Sequence, residues 1–155
     1  MGKYFVGFSA FGTTTSNKTS SKIIGASAKR FEMVEHEASG AGTVAPADVQ
    51  HQAKAAFLSN AGAGTPGSSP TPEKVDQASS ASQLTAGVAY SAEPTTYNTN
   101  VFTLFSFNQR GGMRWSVPQG EGFRTDGGQT GLSFGTLIIS STAGSIDGQT
   151  MWWEP

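Results

Sequence analysis

The sequence predicts an all-β protein, a single-domain antiparallel β-sandwich or jelly roll with long loops rich in Gly, Ser and Pro. Three observations predict this class: a long apolar run near the C-terminus, seven or eight strand-like segments along the chain, and a composition rich in turn and hydroxyl residues. Gly occurs 20 times, Ser 19 times and Thr 17 times in 155 residues, which favours strands and turns over helices. This length suits one core, so we expect a single domain over residues 1–155.

The apolar run at residues 132–141, LSFGTLIISS, predicts the central strand of the domain. Alternate residues of a strand point to opposite faces. The two faces hold, in turn, Leu132, Phe134 and Thr136, and then Ser133, Gly135 and Leu137. Ile138 and Ile139 make both faces apolar, as in a strand that is covered on both sides. The predicted core residues are Phe105, Phe134, Leu137, Ile139 and one of Trp152 and Trp153.

Further strand candidates are rich in aromatic and β-branched residues and are separated by turn residues. They are residues 3–11, 22–28, 29–37, 85–91, 101–108, 113–117 and 149–154, and a short strand is possible at 122–124. The polar residues 13–21, 39–46 and 143–148 are predicted to be loops or turns. The sequence QRGG lies between residues 101–108 and 113–117 and predicts that these two strands pair as a hairpin.

Two segments have helical features. Residues 48–60, DVQHQAKAAFLSN, are rich in Ala with Asp48 as a possible cap, which favours a helix on propensity, although the same residues also alternate as a strand. Residues 73–84 follow a Thr-Pro pair, and we expect one or two helical turns there. Between these segments, residues 61–72 are predicted to form a long exposed loop because Gly, Ser and Pro disfavour strand pairing.

The two chain ends are aromatic and are the candidate contact segments for a partner. Trp152 and Trp153 are adjacent, so in a strand one ring faces the core and the other faces outward. Chain ends can reach a neighbouring subunit without disturbing the core. The candidate interface residues are Tyr4, Phe5, Phe8, Trp152 and Trp153.

The sequence contains no recognisable catalytic apparatus, and we expect a protein that is not an enzyme and needs no cofactor or metal. His36 and His51 match no zinc-ligand spacing and are predicted to lie on the surface. The Gly-rich segment at 61–72 lacks the Gly-Lys-Ser/Thr ending of a phosphate loop. Two acidic pairs, Asp147 with Glu154 and Glu121 with Asp126, are interpreted as solvated loop acids rather than as a calcium or carbohydrate site.

The charge balance argues against a nucleic-acid partner, and the lack of a long apolar run argues against a membrane partner. The chain has ten basic and eleven acidic residues, and only 14% of its residues are charged, against about 25% in typical proteins. A nucleic-acid binder needs a basic stripe for the phosphates, whereas Arg110, Arg114 and Arg124 are interspersed with acids and are interpreted as solvated loop charges. No apolar run approaches the ~18 residues of a membrane span.

The order of these segments resembles a family of small phage-encoded virion proteins of the capsid decoration, or cement, type. The resemblance covers nearly the whole chain. It rests on the aromatic strand at 3–11, the charged strand at 29–37, the loop sequence GTPGSSPTP, the Trp115 strand, LSFGTLIIS and the terminal MWWE. It implies a jelly-roll or β-sandwich fold, and it implies a strand within residues 54–60.

The resemblance also implies a function. The expected function is that of a non-enzymatic structural protein, made in the host cytoplasm and located on the capsid surface of the virion. It would bind the major capsid protein, stabilise the head of a tailed phage and form a homo-oligomer, a trimer. The alternatives are a tail or fibre subunit and a carbohydrate-binding β-sandwich module.

Overall fold

The computed structural model describes residues 2–25, 30–42, 48–58, 64–95, 97, 101–125 and 133–155. Some predictions concern residues outside this part. Three single residues, Met1, Leu132 and Asp126, lie outside it. Residues 26–29, at the ends of two predicted strands, and residues 43–46, in the predicted turn at 39–46, lie outside it as well. So do residues 59–60 of the ambiguous segment at 48–60 and residues 61–63 of the loop at 61–72.

Every regular element in the described part of the chain is a strand, and the strands form two antiparallel sheets packed face to face. Sheet 1 contains β1 (Gly2–Thr13), β3 (Glu32–Gly40), β5 (Glu73–Lys74), β8 (Gly112–Ser116), β9 (Phe123–Arg124) and β11 (Gly144–Glu154). Sheet 2 contains β2 (Lys18–Ile24), β4 (Gln50–Leu58), β6 (Thr85–Val88), β7 (Phe102–Asn108) and β10 (Ser133–Ser140).

The strand order is that of a jelly roll. Sheet 1 runs β5-β1-β11-β3-β8, with β9 also paired to β3, and sheet 2 runs β6-β2-β10-β4-β7. When the short β5, β6 and β9 are left out, each strand but one is followed in the chain by a strand of the other sheet. The four strands β1-β11-β3-β8 of sheet 1 therefore face β2-β10-β4-β7 of sheet 2. Eight strands arranged in this way are two interlocked Greek keys. The prediction of an all-β sandwich or jelly roll is confirmed.

The predicted central strand is also confirmed, because β10 is the third of five strands in sheet 2. Phe134 pairs with Ile23 of β2 on one side and with Phe57 of β4 on the other. Its ring is 1% exposed and belongs to the main core. Ile139 is half-buried, while Ile138 is fully buried, so the prediction of Ile139 as a core residue is wrong: the core face carries the even-numbered residues of this strand.

The other predicted core residues are buried. Phe105 and Leu137 are 8% and 3% exposed. Trp152 is fully buried, while Trp153 is half-buried on the opposite face, as alternation along β11 predicts. The last strand is nevertheless longer than expected, since β11 begins at Gly144 within the predicted turn.

Residues 48–58 form a strand rather than the helix that propensity favours. β4 pairs with β10 on one side and with β7 on the other. Its alanines at 53, 55 and 56 are fully buried, and they lie on both faces of the strand. Tertiary pairing here outweighs the intrinsic preference of Ala for helix, which is below about 1 kcal/mol per residue. Residues 73–84 likewise form the two-residue β5 followed by turns, and not the expected helical turns.

The polar segment at 13–21 is not simply a loop, because β2 begins at Lys18. Ser20 and Ser21 are buried, and the Ser21 hydroxyl lies 2.7 Å from the hydroxyls of both Thr136 and Thr150. A chain of hydrogen bonds therefore crosses the core from sheet 2 to sheet 1 and satisfies these buried groups. It ends at His36, whose Nδ1 lies 3.0 Å from the Thr150 hydroxyl.

The predicted hairpin of residues 101–108 and 113–117 does not form. β7 pairs with β4 in sheet 2, and β8 pairs with β3 in sheet 1. The short connection at 109–111 carries the chain from one sheet to the other, as the jelly-roll order requires. Gln109 is buried in this connection, and its backbone carbonyl lies so close to Gly40 that a Cβ there would be 2.1 Å away.

The long connection between β4 and β7 closes one side of the sandwich. β5 extends sheet 1 beside β1, and β6 extends sheet 2 beside β2. The described part of the predicted loop, residues 64–72, is exposed or half-buried, yet it is anchored by isolated bridges of Thr65 to Ala92 and of Ser68 to Val88.

Candidate interaction surface

Three of the five candidate interface residues are part of the core. Tyr4, Phe8 and Trp152 are 2%, 6% and 0% exposed. The Tyr4 ring stacks on Trp152 with ring centroids 6.2 Å apart, and its hydroxyl donates to the Ser80 carbonyl at 2.8 Å. These side chains hold β1 against β11 and are closed to a partner in the folded chain.

The other two candidates, Phe5 and Trp153, are half-buried on the outer face of sheet 1. Trp153 lies beside Lys3 of β1 and Glu32 of β3 in the paired strands, and Phe5 lies beside Met151. Apolar and charged side chains therefore alternate across this face, which remains open to solvent.

The acids of this face are held by basic side chains and backbone amides. Glu35 is 3% exposed and accepts two hydrogen bonds from Arg114, at 2.9 and 2.8 Å, with Lys3 at 3.6 Å. Glu32 accepts from Arg124 at 3.1 Å and from the backbone N–H groups of Gly120 and Gly122. A buried carboxylate is tolerated when it is paired in this way.

These ion pairs correct the interpretation of Arg114 and Arg124 as solvated loop charges, whereas Arg110 is an exposed loop charge as expected. Arg114 and Arg124 bind the two buried glutamates, and Arg110 lies 3.2 Å from the exposed Asp48. Their charges are largely matched by acids, which leaves no basic stripe along the described strands.

Two of the acids interpreted as solvated are also structural. Asp147 accepts from the backbone N–H groups of Ala10 at 2.7 Å and Gly42 at 3.0 Å. Glu154 is 7% exposed and accepts from the Trp152 indole and the Gln83 backbone, both at 2.9 Å, and from the Ser82 hydroxyl. The interpretation of these two residues as loop acids is therefore wrong.

A groove of about 570 Å³ crosses the same outer face, next to the ion pairs. Small residues form its floor, among them Gly7 and Gly148, and its polar lining includes Arg114, Glu37 and Gln149. The Gln149 amide donates to Glu37. Polar and apolar residues line the groove together, and Phe8 is among them.

Four aromatic side chains form a cluster that reaches the surface at one side of the sandwich. We call it the aromatic edge, and its members are Phe57, Phe102, Trp115 and Phe123. It lies where β7 of sheet 2 and β8 and β9 of sheet 1 come together, opposite the side closed by β5 and β6. Phe102 is 41% exposed, and the other three are half-buried.

Ring contacts connect the aromatic edge to the core. Phe123 lies 4.6 Å from Phe102, 5.2 Å from Trp115 and 5.6 Å from the buried Phe134, between ring centroids. Phe57 packs edge-on against Phe102 and Phe134 at 6.3 and 5.4 Å. The cluster is therefore a rigid continuation of the core that reaches solvent at Phe102.

Strict alternation along the sequence could not reveal this surface. Residues 101–108 alternate as if Phe102 and Phe105 faced opposite ways. A β-bulge at Leu104 changes the register between Thr103 and Phe105, so Phe102 lies on the same side as Phe105. Nothing in the residue pattern marks that bulge.

The histidines are buried, contrary to prediction. His36 is fully buried between the rings of Phe8 and Phe105, each 6.2 Å away, and burial lowers its pKa to about 4. His51 is 2% exposed and stacks on Phe107, and burial also lowers its pKa. Both rings are neutral at pH 7.

In the parts of the chain that the structure describes, no three His, Cys, Asp or Glu side chains gather as they would around a metal ion. Over those same residues, no helix has the length and apolar character that crossing a membrane requires. Comparison with known proteins found no matching family model and no matching curated protein.

Proposed function

We propose that this chain is a non-enzymatic structural protein of a virion, a capsid decoration protein that binds the major capsid protein on the head of a tailed phage. Two lines support the proposal: the resemblance of the segment order to that family, and the jelly-roll fold, which recurs in viral capsid and lectin domains. Fold likeness is an analogy rather than a demonstration of function. The proposal therefore depends on a surface that could make the contact.

The aromatic edge is the observation that carries the proposal. It combines two edge strands with a rigid aromatic cluster, and aromatic residues held by packing dominate the binding energy of many protein interfaces. It replaces the chain ends as the attachment surface, since Tyr4, Phe8 and Trp152 are core residues. The proposed trimer places copies of this edge around a symmetry axis of the shell.

The stabilising effect follows from selective binding. A decoration protein that binds the assembled shell but not the separate subunits shifts the equilibrium toward the shell by mass action. A rigid core matters here, because little conformational entropy is lost on binding when the contact surface is already ordered.

Imaging of purified particles tests this function directly. Wild-type protein is expected as density over the capsid, and Phe102→Ala is expected to reduce its occupancy at least tenfold while the isolated protein still folds. Thr103→Ala is the matched control, since Thr103 is the exposed neighbour of Phe102 on β7. Density on the tail instead of the head would replace the decoration protein by a tail or fibre subunit, and absence from particles would reject both.

A carbohydrate-binding module is the second candidate, and Trp153 is the observation that favours it. A half-buried indole on an open sheet face, lining a pocket of about 220 Å³ together with Gln119 and Arg124, is a surface on which a sugar ring can stack. Titration of the protein with glycans would quench tryptophan fluorescence if this function holds, and Trp153→Ala would abolish binding while Phe102→Ala would not. The opposite pattern favours the aromatic edge.

A further inference from the structure

Three buried polar atoms at one end of the sandwich have no hydrogen-bond partner among the described residues. They are the Thr13 hydroxyl, Nε2 of His51 and Oε1 of Gln109. The three residues are only 2%, 2% and 3% exposed. Buried polar groups are nearly always paired, so three together require an explanation.

The three groups surround one point beside Gly144. A Cβ placed on Gly144 would lie 3.1 Å from Cε1 of His51, the ring atom between Nδ1 and Nε2. It would also lie 3.2 Å from the Thr13 hydroxyl and 3.3 Å from Oε1 of Gln109. Gly144 is paired with Thr13 across β1 and β11. The polar atoms thus come from three separate parts of the chain and meet where glycine leaves room.

The other ends of these side chains are fixed, so the groups cannot turn to find protein partners. The Gln109 amide nitrogen donates to the Ser145 carbonyl at 3.2 Å, which directs Oε1 toward Gly144. The His51 Nδ1 lies 2.7 Å from the Ser140 hydroxyl, and the ring stacks on Phe107 at 5.0 Å. The polar cradle is therefore built into the fold.

We infer that this cradle binds one water molecule as an integral part of the structure. Oε1 of Gln109 can only accept a hydrogen bond, the Thr13 hydroxyl can donate, and Nε2 of His51 takes either role according to its tautomer. A water can serve all three, and three hydrogen bonds are typical of a buried water. A cation fits less well because the cradle offers one imidazole and two neutral oxygens and no carboxylate.

The bound water connects three parts of the chain at this end of the sandwich. It bridges the end of β1, the start of β4 and the connection between β7 and β8, beside the start of β11. Glycine suits position 144 because a Cβ there would lie 3.1–3.3 Å from the side chains of all three residues, which is closer than most Cβ contacts. Its φ is outside the left-handed region, so the backbone itself would accept alanine.

Nuclear magnetic resonance on the wild-type protein tests the inference without a mutation. Dipolar cross-peaks between a long-lived water and the side-chain amide protons of Gln109 and the backbone amide of Gly144 are expected. Their absence would overturn the inference. A stoichiometric metal in the purified protein, with a melting temperature that falls when the metal is removed, would also overturn it and assign the cradle to a cation.

A pair of glycine variants gives the second arm. Gly144→Ala is expected to remove the cross-peaks and to lower the melting temperature by several degrees, because it displaces the water and leaves its partners unpaired. Gly12→Ala is the matched control on the paired strand, since nothing lies within 4 Å of a Cβ there. A Gly144→Ala protein at least as stable as Gly12→Ala would show that the cradle is dry. Should Gly144→Ala fail to fold, the wild-type cross-peaks still decide.

Discussion

At the scale of single residues, burial strongly alters the chemistry of His36. Its ring is enclosed by Phe8 and Phe105, and its Nδ1 ends the chain of hydroxyls that crosses the core. The second nitrogen, Nε2, has no hydrogen-bond partner among the described residues. An imidazolium in this position would be a buried charge with no acid beside it, which is why the neutral form prevails.

Acidification is therefore expected to destabilise the protein. The pKa of His36 is about 4 in the folded chain and 6.5 when exposed, so the unfolded chain binds the proton at higher pH. The stabilising contribution is present above pH 6.5 and is lost as the pH falls toward 4. At 1.36 kcal/mol per pKa unit it amounts to about 3 kcal/mol. Urea unfolding at pH 7 and pH 4.5 measures the loss.

His36→Phe provides the control for this pH dependence, because it keeps an aromatic ring between the same neighbours and cannot titrate. It lowers stability at every pH by removing the hydrogen bond to Thr150, but the difference between pH 7 and pH 4.5 should shrink to the part due to His51 and the acids. An unchanged difference in this variant would assign the acid sensitivity to other groups.

Single-residue burial could be predicted from the sequence only where alternation is regular. The opposite faces of Trp152 and Trp153 follow from the period of a strand. The burial of Ser20, Ser21 and His36 does not, because polar residues signal the surface unless their hydrogen-bond partners are known. Those partners, Thr136 and Thr150, lie more than a hundred positions away in the chain.

At the scale of elements, the sequence predicts the central strand and the existence of most others. The sequence does not predict which strands pair with each other. The hairpin expected for β7 and β8 is locally reasonable, but each strand gains a longer partner, β4 or β3, by crossing between sheets. The same global pairing makes β4 a strand although its alanines favour a helix.

The connection between β4 and β7 shows how an exposed segment can still be anchored. The backbone N–H of Gly67 lies 3.0 Å from the Val88 carbonyl and 3.1 Å from the Ala89 carbonyl. A Cβ on Gly67 would lie 2.6 Å from the latter oxygen. The described part of the predicted exposed loop at 61–72 is therefore anchored by backbone hydrogen bonds at Thr65, Gly67 and Ser68.

Gly67→Ala is accordingly expected to lower the free energy of unfolding by about 1–3 kcal/mol, as overpacking against backbone usually does. Gly111→Ala is the matched control in another loop, since its Cβ would meet its nearest neighbour at an ordinary 3.8 Å. Chemical denaturation of both variants measures the difference. Equal stabilities would mean that this part of the connection moves away without cost.

At the scale of the whole molecule, the two sides of the sandwich differ in the strands that form their edges. β5 and β6 extend the sheets beside β1 and β2, whereas the described residues leave β7 and β8 as outer strands with the aromatic edge between them. Exposed edge strands invite pairing with other chains, and proteins usually protect them. This asymmetry gives the molecule one side suited to contact and one side that is closed.

The N-terminal segment belongs to the closed side, so its removal is expected to affect folding rather than attachment. Gly2, Lys3 and Tyr4 pair with the last three residues of β11, and Tyr4 fills the core against Trp152. Deleting residues 1–4 removes this pairing and a buried aromatic ring, whose loss alone typically costs about 3–5 kcal/mol. A calorimetric scan should show a melting temperature lower by ten degrees or more.

Deletion of Pro155 is the control for this truncation, because it shortens the other chain end at an exposed residue outside any strand. It should leave the melting temperature unchanged. The N-terminal deletion also separates two roles of the chain end, since a contact segment would lose particle occupancy while melting normally. A normal melting temperature together with lost particle occupancy would show that the N-terminus, and not the aromatic edge, is the attachment surface.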